Sequence, residues 1–178
     1  AGGGTKETLL RYLEPVMDNP NVDTFYIIAK AFEQIAMGKV ATSALEAKEY
    51  RYLRGCDGIT MNRDRVISDA KKVVLHLSEL GYRPPLPFKF RLPGESAYAT
   101  IWSSLETMKN GNYISEYDMH IGKKIAWVMC GGITSKDILV DEQYILDLER
   151  EAFLSLCGEQ KTQERIQYML MNNKPLRN

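Results

Sequence analysis

Asp141-Glu-Gln-Tyr-Ile-Leu-Asp-Leu-Glu-Arg-Glu-Ala-Phe-Leu-Ser-Leu-Cys-Gly158 reads as a complete helix, with a start, an inner stripe and a stop. The Asp141 side chain can accept from the free N–H groups of the first turn. Ile145, Leu148, Ala152 and Leu156 recur at three-and-four spacing, and Gly158 closes the run. Asp147, Glu149, Arg150 and Glu151 fall off that stripe and read as its wet face.

Working outward, a last helix starts near Glu159, turns Ile166, Met169 and Leu170 inward, and cannot continue past Pro175. Upstream, Ser115-Glu-Tyr-Asp118 opens a helix carrying Tyr117, Ile121, Ile125 and Val128, which Gly131-Gly132 ends. Before it, Glu95 to Asn110 repeats Ala97, Ile101, Leu105 and Met108 and stops at Asn110-Gly111, so the two predict an antiparallel helical hairpin. Residues 82–94 hold Pro84, Pro85, Pro87 and Pro93 with Phe88 and Phe90 between them, a composition that predicts a stiff extended connector.

The first half follows the same grammar. Asn21 to Gly38 puts Phe25, Ile28, Ala29, Phe32 and Ala36 on one face, with Gly38 as a left-handed cap. Ser43-Ala-Leu-Glu46 has capping-box spacing for a short helix to about Tyr50. Asn62 opens a helix with the stripe Val66, Ala70, Val73, Val74 and Leu77, stopped by Gly81 and Pro84. No strand-turn-strand pattern, fixed-period repeat or low-complexity tract stands out.

Lys plus Arg and Asp plus Glu number 23 each in a chain of 178 residues, so no net field draws it to nucleic acid or an anionic membrane. Cys56, Cys130 and Cys157 are odd in number and widely spaced, which argues against both a disulfide framework and a metal site, and predicts a reduced, cytoplasmic setting without a membrane span.

Ala1-Gly-Gly-Gly-Thr5 leads into Lys6 to Leu13, a helix expected to be capped by Thr5. Glycines at that point let a backbone or ligand approach free N–H groups at the positive end of the helix dipole. Two readings stay open: a strand-to-helix corner cut from a longer chain, or a flexible remnant. His76 and His120 sit on predicted helices without a partner constellation and read as structural. Tyr50, Arg51, Tyr52 and Arg54 read as a contact surface.

In chain order, these stretches resemble the crotonase family, the enoyl-CoA hydratases and isomerases. Ala1 to Thr5 is similar to the family's Pro-Gly-Ala-Gly-Gly-Thr corner. Gly38 with Ser43-Ala-Leu-Glu-Ala47 matches the glycine and Ser-Ala-x-x-Ala that follow it, and Glu151-Ala-Phe153 through Gly158 to Lys174-Pro175 looks like its last two helices and Lys-Arg-Lys-Pro tail. Residues 83–140 form an insertion that looks like the version fused behind a 3-hydroxyacyl-CoA dehydrogenase in bacterial fatty-acid oxidation proteins, above all in Tyr113-Ile-Ser-Glu-Tyr-Asp118 and Glu142 to Gly158.

The resemblance implies a mainly α fold: the helical C-terminal portion of a crotonase-like α/β spiral, with core at 1–82, helical insertion at 83–140 and terminal helices at 141–178. It implies acyl-CoA as substrate, NAD in the parent's dehydrogenase domain, a homo-oligomer, and the N-terminal part of the same polypeptide as partner. The family's two catalytic glutamates and carbonyl-polarising N–H groups precede the glycine corner, so no catalytic residue is assigned here. Gly3, Gly4 and Lys174 are the CoA-binding candidates that it implies. Arg51 replaces a family glycine, and Met169 and Asn172 replace an aromatic and a lysine near the CoA adenine, leaving Lys174 as the substitute cation. A helical oligomerisation or interaction module without acyl-CoA chemistry is the alternative.

Overall fold

Among residues 2–178, which the computed structural model describes, eight α-helices and one two-stranded sheet form. Ala1, the first residue of the glycine corner, lies outside them. The described residues divide into two units, 2–39 with 88–178, and 40–87. The larger unit holds α1 (Gly4–Leu13), α2 (Thr24–Ala36), β1 (Lys89–Leu92), α5 (Gly94–Asn110), α6 (Glu116–Cys130), β2 (Ile138–Asp141), α7 (Glu142–Cys157) and α8 (Gln160–Asn172); the smaller holds α3 (Ala44–Glu49) and α4 (Val66–Glu79).

Helix starts follow the capping chemistry. Asp23, Asn62, Ser115 and Asp141 each accept from a backbone N–H two or three residues on, and Ser115 with Asp118 closes a reciprocal box. Ser43 accepts from the Glu46 N–H, but Glu46 reaches one residue further back than expected, to the Thr42 N–H and hydroxyl at 2.6 and 2.7 Å. Gly38, Gly81 and Gly131 take the left-handed conformation at helix ends.

In the larger unit, α5 and α6 form the expected hairpin, and Gly122 permits the approach: a Cβ there would meet Leu105 at 3.1 Å. The proline-bounded stretch differs from the expected connector. Its end, residues 89–92, is a strand that pairs antiparallel with 138–141, Phe90 opposite Val140 and Leu92 opposite Ile138. Phe90 and Leu92 are fully buried. The prolines occupy 84–87 and 93, outside the ladder, which frees 89–92 to hydrogen-bond. Residues 88–140 thus pack in the same unit as 2–39 and 141–178.

Three burial expectations change. α4 forms, but Val66, Val73, Val74 and Leu77 are all exposed; α8 forms, but Ile166, Met169 and Leu170 face outward and its inner face is Thr162 and Arg165. Glu149, expected on the wet face of α7, is 4% exposed. Its carboxylate accepts from the backbone N–H groups of Gly3, Thr5 and Lys6, each at 3.2 Å, so it, and not Thr5, caps α1. Burial raises the Glu149 pKa, but its partners at the start of α1, the N–H groups of Lys6 and Thr5 among them, lower it and prevail, holding the carboxyl below its ordinary value. Beside it, Lys6 pairs with Glu142 at 2.9 Å, and Glu142 also accepts from the Phe88 N–H at 3.1 Å.

Two substitutions test this account. Gly94 has φ +69 and a Cβ there would stand 2.5 Å from the Thr134 carbonyl oxygen, whereas Gly38, φ +59, has open space. Gly94→Ala is expected to cost roughly 3 kcal/mol or more by the clash added to left-handed strain, and Gly38→Ala about 1 kcal/mol from strain alone; equal losses in urea unfolding would contradict the packing. Glu149→Gln should cost about 2 kcal/mol at pH 7, the loss of charge-assisted hydrogen bonds to the helix start. Because the folded carboxyl titrates below its ordinary 4.5, the wild-type advantage is complete above that pH and shrinks as pH falls through the folded value. A gap unchanged between pH 7 and pH 3 would remove the assignment.

Candidate functional site

The apolar faces of α2, α5 and α6 do not close on one another along their whole length. Between them runs a groove of about 490 Å³. Phe25, Ala29 and Phe32 line it from α2, Ile101, Leu105 and Met108 from α5, and Ile121 and Ile125 from α6. Phe32, Ile101 and Leu105 are buried, while Ala29, Ile121 and Ile125 are half-buried, so the floor is fixed core and the walls are accessible. Of the stripe expected on α6, Tyr117 and Val128 are buried, whereas Ile121 and Ile125 are half-buried; Met119, Ala126, Met129 and Cys130 complete its buried face.

Charge enters at one end, where Asp118, Arg165 and Arg177 line the groove. Arg165 donates to Asp118 at 2.8 Å and to the Asn178 side chain at 2.8 Å, and its guanidinium lies 5.1 Å from the Tyr117 ring centroid. Burial raises the Asp118 pKa; the Arg165 guanidinium and the Ser115 N–H and hydroxyl lower it and prevail. Arg177 is exposed at the rim. The groove's two acidic groups are both ion-paired, Asp118 with Arg165 and Glu33 with Lys39 at 2.9 Å. Such a lining can hold an extended apolar group and position a polar end; its carboxylates are committed to cations. A second, more polar cleft of about 500 Å³ lies by the start of α2, with Asn21, Asp23, Thr24, Ser96 and Lys136 in its wall.

The residues singled out from sequence do not converge on this groove. Gly3 is half-buried and its N–H is committed to Glu149, Gly4 is exposed in the first turn of α1, and Lys174 is exposed in the tail after α8. His76 is exposed on α4. His120 stacks on Tyr117 with ring centroids 5.7 Å apart and pairs with Glu159 at 2.8 Å, tying α6 to the start of α8. Tyr50 and Tyr52 meet edge to face at 5.9 Å within the smaller unit.

Sequence reading missed Arg165, Glu149 and the groove itself. Ser115-x-x-Asp118 is visible as a cap, but the arginine that anchors Asp118 lies 47 residues away. For Glu149 the only signal is its position between Ile145 and Ala152, on the turn that the buried stripe crosses.

Among known proteins, the chain is 46% identical over 177 residues to the "Probable 3-hydroxyacyl-CoA dehydrogenase" of Bacillus subtilis (strain 168). The match takes in 99% of this chain and 22% of that relative's length. No family model matches the chain, and no solved structure matches it.

Proposed function

We propose that the chain is a helical part of a fatty-acid oxidation protein of the 3-hydroxyacyl-CoA dehydrogenase type, in which it supplies scaffold and substrate wall. The observation that carries this reading is the 46% identity, sustained over 177 residues, to the Bacillus subtilis relative. The finer part is the likeness to crotonases: an enoyl-CoA hydratase or isomerase domain fused to an NAD-dependent dehydrogenase, this chain being the hydratase domain's helical C-terminal portion. Lys174, exposed beyond α8, is the cation that this reading offers to CoA phosphates, with Gly4 exposed at the start of α1.

The lowered pKa values of Asp118, Glu142 and Glu149 agree with a structural role for these carboxylates. A general acid or base at neutral pH needs the opposite shift. Among the described residues, no helix is long and apolar enough to cross a membrane.

A second reading, an oligomerisation module without acyl-CoA chemistry, is favoured by the exposed apolar faces of α4, with Ile67 at 84%, and of α8, with Leu170 at 81%. Size exclusion of the chain should show self-association under either reading. What separates them is the parent gene. The first expects a Gly-Gly-Gly-x-Glu-like segment and a Pro-Glu pair in a parallel-strand region, and a full-length product that hydrates crotonyl-CoA and oxidises a 3-hydroxyacyl-CoA with NAD. The chain alone should hydrate crotonyl-CoA no faster than buffer. A parent with neither activity would sink the enzymatic reading, and robust hydration by the chain alone would sink the scaffold role.

A further inference from the structure

We propose that the polar cleft between the start of α2, the start of α5 and the turn before β2 binds a small zwitterion, a free α-amino acid. Its carboxylate is met by Lys136 and the first turn of α5, and its ammonium by Asp23 and Asp137. The cleft has a volume of about 500 Å³, ample for such a molecule, and its whole wall belongs to the larger unit. The proposal uses neither the apolar groove nor the acyl-CoA reading.

The frame is held by contacts already in place. Thr24 on α2 and Pro93 and Ala97 at the start of α5 are its buried floor. The Glu95 N–H donates to the Thr134 carbonyl at 3.0 Å and the Asp137 N–H to the Leu92 carbonyl at 2.9 Å, which fixes the turn that carries Lys136 and Asp137. Arg91 donates to the Pro20 carbonyl at 3.3 Å and so holds the segment leading to Asp23. Walls fixed in this way lose little freedom when a ligand enters.

The polar groups that this frame presents are left over. Thr24 is only 5% exposed, and among the described residues its hydroxyl has no hydrogen-bond partner. No fully enclosed side-chain oxygen or nitrogen lacks one there, so the Thr24 Oγ1 opens onto the cleft that the residue lines. The side chains of Lys136 and Asp137 likewise have neither an ion pair nor a hydrogen bond among the described residues, and Asp23 uses Oδ1 on the Phe25 N–H. Pro93 gives α5 no side-chain cap, so the positive end of this 17-residue helix lies open beside Ser96; Glu95, the acid of that turn, is exposed outside the cleft wall.

Charge selects the ligand. An inorganic anion or a phosphate ester would meet two carboxylates, Asp23 and Asp137, against one ammonium. A simple amine would leave Lys136 and the helix start without a counter-charge. A hydrocarbon would cover the Thr24 hydroxyl without a partner, at a cost of about 1–3 kcal/mol. A neutral sugar could bond the hydroxyls and would leave all the charges unmet. A molecule with both signs on a short skeleton satisfies them together, and the surplus carboxylate favours a basic side chain.

The test titrates the ¹⁵N-labelled 178-residue chain with L-lysine, L-serine and L-glutamate at constant ionic strength and follows the backbone amide shifts. Saturable shifts centred on Thr24, Ser96, Ala97 and Lys136 are expected, with L-lysine tightest and L-glutamate weakest. Acetate and ethylammonium each carry half of the ligand and should bind about tenfold more weakly than L-serine, having lost one charge-assisted contact. Lys136→Met alters an exposed side chain and leaves the fold intact; it should weaken L-serine about tenfold and leave ethylammonium unchanged. Thr24→Val keeps the shape, removes the hydroxyl and should weaken L-serine several-fold, its thermal melt reporting the fold. No saturable shift with any of the three amino acids, or shifts centred elsewhere, overturns the site. Acetate or glucose binding as tightly as L-serine overturns the zwitterion, as does an L-serine affinity unchanged in Lys136→Met. L-Glutamate binding tightest overturns the charge balance that selects it.

Discussion

A single carboxylate fixes the ends of the larger unit against each other. Three N–H groups at the start of α1 have no intrahelical acceptor, and Glu149, deep in α7, is too costly to bury as an ion without donors. Each solves the other's problem: the N–H groups of Gly3, Thr5 and Lys6 meet the Glu149 carboxylate across more than 140 positions of chain. A glycine at the helix cap is needed because its φ is +94 and its backbone faces the Leu146 side chain at Cβ-contact distance. Lys6 then reaches Glu142, and Glu142 reaches the Phe88 N–H, so the same corner anchors the strand that begins at Lys89.

With α1 held on α7, the rest of the unit has little freedom. Leu9 and Leu13 are fully buried, and Tyr12 donates to Gln34 at 2.7 Å, which sets the register of α2 on α1 without an unsatisfied polar group. The β1–β2 ribbon places the start of α5 beside the turn after α6: Gly94 sits against Thr134 and Ser135 and Gly131 against Leu92, approaches that a side chain would block. The helical hairpin is thereby pinned at its ribbon end. Toward the opposite end of α5, at Met108, and near Tyr113, its walls join Met37 of the α2 terminus in lining the groove.

Much of this was legible because capping is local. Ser115, Asp141, Gly38, Gly81 and Gly131 act within a few residues of the helix ends they define, so sequence order carries the signal. Which face of a helix is covered is a different matter, since it depends on what lies against it. The α4 stripe of Val66, Val73, Val74 and Leu77 has full amphipathic spacing and is exposed, whereas Glu149 has the chemistry of a surface residue and is buried. Periodicity measures the first and cannot see the second. The β1–β2 pairing was hidden for the same reason, because four-residue strands separated by two helices leave no hairpin signal, and the surrounding prolines argue locally for a connector.

The electrostatics also separates holding from reacting. Among the described residues, each carboxylate side chain that its surroundings clearly shift, Glu7, Glu46, Glu106, Asp118, Glu142, Glu149 and Glu159, is shifted downward. The causes are ion pairs, backbone N–H groups and neighbouring hydroxyl or indole donors, which stabilise charge in the ground state. Proton transfer to an acyl thioester at neutral pH asks for a carboxyl kept near neutrality by burial without such donors. Burial at Glu149 works in that direction and loses to its partners at the start of α1, the N–H groups of Lys6 and Thr5 among them. The Cys130 thiol, with no such donor, is pushed up to about 12 by burial alone and is inert as a nucleophile. The same preference for satisfied charge over reactive charge runs from the α1 corner to the Asp118–Arg165 pair at the groove. Ion pairs and backbone donors at both places stabilise these carboxylates in their charged form.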